Sequence, residues 1–205
     1  YAKKYNKSLI LGELPGSGKT TSIIGACKKA GFNILVICPT NNLAYDVRKE
    51  HEVNAITLNK LFGFVEGMDN LKMSKYRIED YNCFIFDEIY FYNIGYLEYV
   101  KDFILRNGDS KYYFATGDIY QLEPVKSSTT MKYNDMCIKS IFKDCLYLTE
   151  SKRFTDKEDI MKFYNTYYTT CNMSVCIIDS KDIEVIEGKI PTEPSIYSHR
   201  SIVID

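Results

Sequence analysis

Lys19 and Thr20 close a glycine-punctuated stretch, Gly12-Glu-Leu-Pro-Gly-Ser-Gly-Lys-Thr20, directly behind the apolar run Leu9-Ile10-Leu11. A strand that breaks into such a turn and reopens as a helix is a cradle for nucleotide phosphates. Gly16 and Gly18 can take backbone conformations closed to other residues. Successive N–H groups of Gly16, Ser17, Gly18, Lys19, Thr20 and Thr21 can then converge on one anion, at the positive end of the new helix. Lys19 reaches the β- and γ-phosphates in this reading, and the Thr20 hydroxyl ligates Mg²⁺. One position departs from the pattern, since Glu13 stands where glycine is wanted. Its carboxylate must point away from a triphosphate or weaken its binding.

Two further stretches carry polar groups suited to the same chemistry. Phe84-Ile85-Phe86 delivers Asp87 and Glu88 at the tip of an apolar strand. There Asp87 can hold Mg²⁺ through its water shell while Glu88 polarises an attacking water. A solvated acidic turn would read the same way alone, but the phosphate loop upstream favours the nucleotide reading. Thr116-Gly117-Asp118 leads to Gln121-Leu-Glu-Pro-Val125, and Gln121 is the only glutamine in the chain. A neutral amide can donate to a γ-phosphate or to the attacking water without forming a charge pair afterwards, which suits a sensor of nucleotide state. On turn chemistry alone the same residues make a Gly-Asp turn with a surface glutamine.

These groups must be brought together by the elements between them. The periodicity predicts a helix from Lys19 to about Ala30, stopped by Gly31, then a strand over Asn33–Cys38 apolar enough to be buried on both faces. A helix over roughly Leu43–Glu52, capped by Asn41 or Asn42, with an N-cap also the plain reading of Thr40, leads to a strand at Ala55–Thr57 and a helical turn at Leu58–Phe62. Residues 63–80 lose periodicity and read as an insertion. Strands follow at Asn82–Phe86, Lys111–Ala115 and Cys145–Leu148, with helices near Gly95–Arg106 and Asn134–Phe142. Alternating strands and helices of this kind imply a three-layer α/β fold with a mostly parallel central sheet. Each polar stretch then falls at a C-terminal strand end, where such sheets bind ligands.

Composition sets the bounds. The 205 residues are 45% hydrophobic and 26% charged, an ordinary globular balance. No apolar run approaches the ~20 residues of a membrane span. The seven cysteines are scattered, without a CxxC or His/Cys cluster, and read as reduced thiols of an intracellular protein, with zinc excluded. A net charge of −1 means that any nucleic-acid contact must come from a local groove.

Pro-Gly-Ser-Gly-Lys-Thr20, Cys38-Pro-Thr-Asn41, Asp87-Glu88 and Gly117-Asp-x-x-Gln121-Leu-x-Pro-Val125, in this order, resemble the first RecA-like core of a superfamily 1 helicase. The Gln-Leu-x-Pro-Val ending resembles the RecD-like, 5′-to-3′ branch. The resemblance runs from about Ser8 to Phe154. It implies a RecA-like P-loop NTPase that binds Mg-ATP and hydrolyses it to move along single-stranded nucleic acid, with no membrane partner; DNA is the first expectation for that strand and RNA stays open. It implies that Lys19, Glu88, Gln121 and Arg153 (in Ser151-Lys-Arg-Phe154) act on the triphosphate, and that Thr20 and Asp87 hold Mg²⁺. Pro39, Thr40 and Asn41 resemble the motif that touches the strand backbone; Thr57 and Asn59 resemble the next, although relatives usually carry histidine where Asn59 stands. The insertion lies where such helicases carry a strand-separating pin, with Phe64 as its candidate wedge. Tyr90, Phe91, Tyr92 and Tyr120 follow nucleotide motifs and are either base-stacking or packing residues, packing being the default among 18 tyrosines.

The adenine-reading glutamine motif of relatives is absent, and so are the later motifs of a second core. Residues 1–174 are therefore expected to form the first core, and 175–205 a linker with the truncated start of a second, from about Ser198. The rest of that second core is missing from this chain, and the piece alone is expected to hydrolyse ATP weakly. Abundant Lys, Asn, Ile and Tyr fit an A/T-rich genome such as a virus carries. The scattered thiols give the expected location, intracellular: cytoplasm, nucleus or a viral replication site. Two other classes stay open on sequence: another phosphate-loop enzyme such as a kinase, and a degenerate nucleotide-binding module.

Overall fold

Six strands, all parallel, make one sheet in the order β3-β2-β4-β5-β1-β6: β1 Lys7–Gly12, β2 Ile34–Cys38, β3 Asn54–Thr57, β4 Cys83–Phe86, β5 Tyr112–Gly117 and β6 Asp144–Leu148. They come from a computed structural model that describes residues 6–12, 16–64, 77–118, 131–150 and 152. The chain divides into two compact units, Tyr1–Lys152 and Arg153–Asp205, and all the described residues belong to the first. The expected boundary at 174/175 and the start of a second core lie outside the described residues, as do 65–76 of the insertion.

The helices are α1 Lys19–Lys29, α2 Asn41–His51, α3 Leu58–Phe62, α4 Ile94–Asn107 and α5 Met131–Ile141. Crossovers between parallel strands are right-handed, so the direction of travel along the sheet decides which face a helix covers. Passing from β1 to β2 to β3 moves one way, and every later step moves the other. Accordingly Ile23, Ile24 and Cys27 of α1 and Ala44 and Val47 of α2 share one apolar layer with Ile10, Val36, Ile85 and Phe114. Residues of α3, α4 and α5 share the other with Leu9, Leu35, Phe84, Phe86 and Tyr113. Successive residues of each strand face opposite layers, and both layers are apolar. That is why β2 reads as a continuous run, Ile-Leu-Val-Ile-Cys, buried throughout.

Of the boundaries that differ from expectation, two bear on the site. Helix α2 starts at Asn41, and of the three cap candidates Thr40 is the one that serves. Thr40 is the extended residue before the first turn, and its hydroxyl accepts the Leu43 N–H at 3.2 Å. Strand β5 runs two residues past Ala115, because Thr116 and Gly117 pair in register with Ile10 and Leu11 of β1. Thr116 is therefore a strand residue, not part of the following turn.

Candidate active site

Every strand of the sheet points its C-terminal end to one rim, and the polar motifs gather there. The phosphate loop leaves β1 at Gly12 and is described again from Gly16. Gly16 (φ 71°) and Gly18 (φ 73°) both take the left-handed conformation that favours glycine. Gly18 is the N-cap of α1 and supplies no side-chain cap, so the first N–H groups of the helix keep their capacity for an anion. Ser17 is buried, and its hydroxyl has no hydrogen-bond partner among the described residues. A donor left over in a glycine cradle is what a phosphate oxygen would satisfy. Lys19, only 7% exposed, follows at the start of the helix. Glu13 lies outside the described residues.

The acid pair arrives from β4, two strands away. Asp87 donates its N–H to the Ile37 carbonyl at 2.8 Å, which continues the pairing of β4 with β2 to the rim. Its buried carboxylate accepts the Thr20 hydroxyl at 2.6 Å on Oδ1, joining residues 67 positions apart in the chain. The Thr116 hydroxyl, from the intervening β5, donates to the same oxygen. Glu88 follows in a left-handed conformation (φ 51°, ψ 52°), and its N–H donates to Thr116 Oγ1 at 3.3 Å. A non-glycine residue held there costs about 1–3 kcal/mol and needs its surroundings to impose it.

Nearby groups register the negative charge of this corner. Burial first, then the Asp87 carboxylate, pushes the Cys38 thiol up to about 12, against a smaller opposing pull from Arg48. Burial and then Cys38, Asp87 and Glu88 push the Tyr92 phenol well above its ordinary range. Among the described residues no cluster of three or more His, Cys, Asp or Glu side chains could hold a metal alone. One carboxylate and one hydroxyl, beside a phosphate cradle, fit Mg²⁺ that takes its remaining ligands from phosphate and water.

The other expected site residues divide. Gln121 and Arg153 lie outside the described residues. Their neighbours reach the rim: Asp118 is buried at the end of β5, and the Lys152 N–H donates to the Gly16 carbonyl at 2.9 Å. Thr116 and Lys152 were not among the residues expected at the site. A hydroxyl in an otherwise apolar strand was the available signal for Thr116.

Of the expected strand-contact residues, Pro39 is half-buried while Thr40, Asn41 and Asn59 are exposed at the ends of β2 and β3. Thr57 is 7% exposed, and its hydroxyl is engaged in capping α3 through the Lys60 N–H at 3.3 Å. Phe64 packs edge-on against Tyr99 and Tyr96, at 4.9 and 5.7 Å between ring centres. Phe64 is half-buried in this cluster, in which Tyr99 is exposed, and 65–76 of the insertion lie outside the described residues. Tyr90 and Tyr92 are core residues, at 1% and 4% exposure, as the packing default held; Phe91 is exposed, and Tyr120 lies outside the described residues.

Comparison with known proteins adds family and fold. The AAA domain family matches residues 2–127, more than half of the chain. A search of curated proteins found no match. Among solved structures, Bacteroides Pif1 bound to ssDNA is similar at 24% identity and a TM-score of 0.57, over 80% of this chain and 43% of that one. Pif1 helicase from Bacteroides in complex with ADP-AlF3 and ssDNA is similar at 23% identity and a TM-score of 0.58, again over 80% and 43%. Unliganded Pif1 from Bacteroides sp. gives 24% and 0.54, over 78% and 42%. The chain thus spans less than half the length of these structures, and shares with them the RecA-like fold. The match over residues 2–127 agrees with the glycine-rich loop, the acid pair and the parallel sheet, and the chain belongs to the AAA domain family.

Proposed function

We propose that this chain is the first motor core of an ATP-dependent helicase or translocase of superfamily 1, acting on single-stranded nucleic acid. One observation carries the reading: the 2.6 Å hydrogen bond from Thr20 to Asp87, which joins the phosphate loop to the acid pair across β5. It brings the start of α1 and the end of β4 together at one rim, which supports a shared nucleotide site.

Within that site the loop N–H groups and Lys19 hold the phosphates, and Thr20 and Asp87 are the residues that would hold Mg²⁺. When bound, the ion neutralises charge that builds up on the phosphate oxygens. Glu88 accepts the proton of the attacking water. Gln121 and Arg153 are assigned to the γ-phosphate by resemblance. Pro39, Thr40, Asn41 and Asn59 are proposed to meet the strand backbone, a contact blind to sequence. DNA is favoured over RNA, because the similar Bacteroides Pif1 structures are bound to ssDNA. The RecD-like ending supports 5′-to-3′ movement. Free Cys27, Cys38, Cys83, Cys137 and Cys145 suit a reducing, intracellular compartment, a viral replication site included.

In the full-length protein, Lys19→Ala and Glu88→Gln each test the assignment, with ATP hydrolysis measured with and without single-stranded DNA or RNA. Both substitutions should abolish the nucleic-acid-stimulated rate. Turnover like that of the unsubstituted protein in either variant refutes the assignment. Stimulation by a small-molecule phosphate acceptor and not by nucleic acid would make the protein a kinase instead.

A further inference from the structure

We infer that Thr116 is a positioning residue for hydrolysis: its hydroxyl sets the carboxylate of Asp87 and the backbone of Glu88 at the same time. The inference rests on the motor reading above and adds a residue to it.

A threonine hydroxyl has one proton to give and lone pairs to accept with. Here the proton goes to Asp87 Oδ1, and the oxygen takes the Glu88 N–H at 3.3 Å. Thr116 is 0% exposed and held in β5, with Ile10 of β1 as its register partner. Its rotor is therefore committed, with no water competing for it. Both hydroxyl bonds to the carboxylate, from Thr20 and Thr116, fall on Oδ1, and Oδ2 takes neither. The two threonines thus fix which carboxylate oxygen is used for holding.

The same hydroxyl pins a backbone that would otherwise relax. Glu88 is one of two non-glycine residues among those described with positive φ. The next residues are clamped too, since a Cβ on Gly117 would lie 2.6 Å from the Tyr90 ring. Residues 87–90 therefore lie against 116–117 at both ends, by hydrogen bonds at one and by ring contact at the other. A valine at 116 would satisfy the strand and the packing equally well. What only the hydroxyl supplies is the connection to the acid pair.

The test compares Thr116→Val and Thr116→Ser with the unsubstituted protein, each carried in the full-length protein. Two quantities are read: binding of fluorescent ADP, titrated with Mg²⁺ and also in EDTA, and ATP turnover. A bond to a metal-holding carboxylate is typically worth about 10-fold or more in metal affinity or activity. Thr116→Val should bind ADP normally in EDTA, need about 10-fold more Mg²⁺ for half-maximal enhancement of binding, and turn over about 10-fold more slowly. Thr116→Ser should restore all three. Three outcomes overturn the inference: an unchanged Mg²⁺ requirement and turnover in Thr116→Val, loss of ADP binding in EDTA as well, or no rescue by serine. Lys19→Ala, run alongside, separates the two levels. If Lys19→Ala retains turnover the motor reading itself fails; if it is inactive while Thr116→Val is normal, only the role of Thr116 fails.

Discussion

Gly117 has no room for a side chain. A Cβ there would stand 2.6 Å from Cδ2 of Tyr90 and 3.2 Å from Cγ2 of Ile89, both in the buried segment behind the acid pair. The ring cannot step aside, because its phenol donates to Asp135 Oδ1 at 2.5 Å, and Asp135 in turn pairs with Lys139 at 2.9 Å. Gly117→Ala should therefore destabilise the protein by about 1–3 kcal/mol in urea unfolding, the usual cost of overpacking. In a Tyr90→Ala background the same Gly117→Ala change should cost less, so that the two effects are not additive. Lys19, Thr20, Asp87 and Glu88 were legible because each sits in a local pattern whose chemistry is complete within a few residues. Gly117 and Thr116 were legible only as turn residues. Their contacts depend on β5 lying between β4 and β1, which no local pattern states.

At the scale of elements, Thr40 shows a residue that serves a helix and a site together. It caps α2 and is also the exposed hydroxyl proposed to touch the strand backbone. Thr40→Ala should cost about 1 kcal/mol of unfolding free energy without any nucleic acid, as loss of a helix cap does. Thr40→Ser should keep the cap. If the strand contact is also real, Thr40→Ala weakens affinity for single-stranded DNA while Thr40→Ser does not; an alanine variant with unchanged affinity leaves Thr40 as a cap alone. Element type was readable nearly throughout, since buried runs such as Ile34–Cys38 and Cys83–Phe86 have few alternatives. The ends were less so. Whether a strand stops at Ala115 or Gly117 is decided by its neighbour's register, and which of Thr40, Asn41 and Asn42 caps α2 by where β2 lets go of the chain.

At the scale of the whole molecule, buried neutral groups set the response to alkali. The Cys38 thiol has an ordinary value of 9.0 and is raised to about 12 in the folded state, by burial first. Below about pH 9 it is protonated in both states, and its contribution to stability is complete. Between about 9 and 12 the unfolded chain loses the proton while the folded protein keeps it, so stability falls by about 1.4 kcal/mol per pH unit for this one group. The Tyr92 phenol, buried beside Cys38, is shifted in the same direction. Urea midpoints should therefore drop steeply from pH 9 to 10.5. Cys38→Ala should show a shallower fall over that range, and an identical slope would remove Cys38 from the account.

The amino-acid order alone determined the class of fold, the strand-to-helix alternation and the identity of the phosphate loop and acid pair. These follow from periodicity and from short-range backbone chemistry. Tertiary structure decided the rest: that Thr20 and Asp87 bond to each other, that Thr116 completes the connection, and that Tyr90 packs rather than projects. Contacts between strands that are neighbours in space but distant in sequence are chosen by crossover handedness and sheet order, and those are properties of the assembled layers rather than of any one stretch.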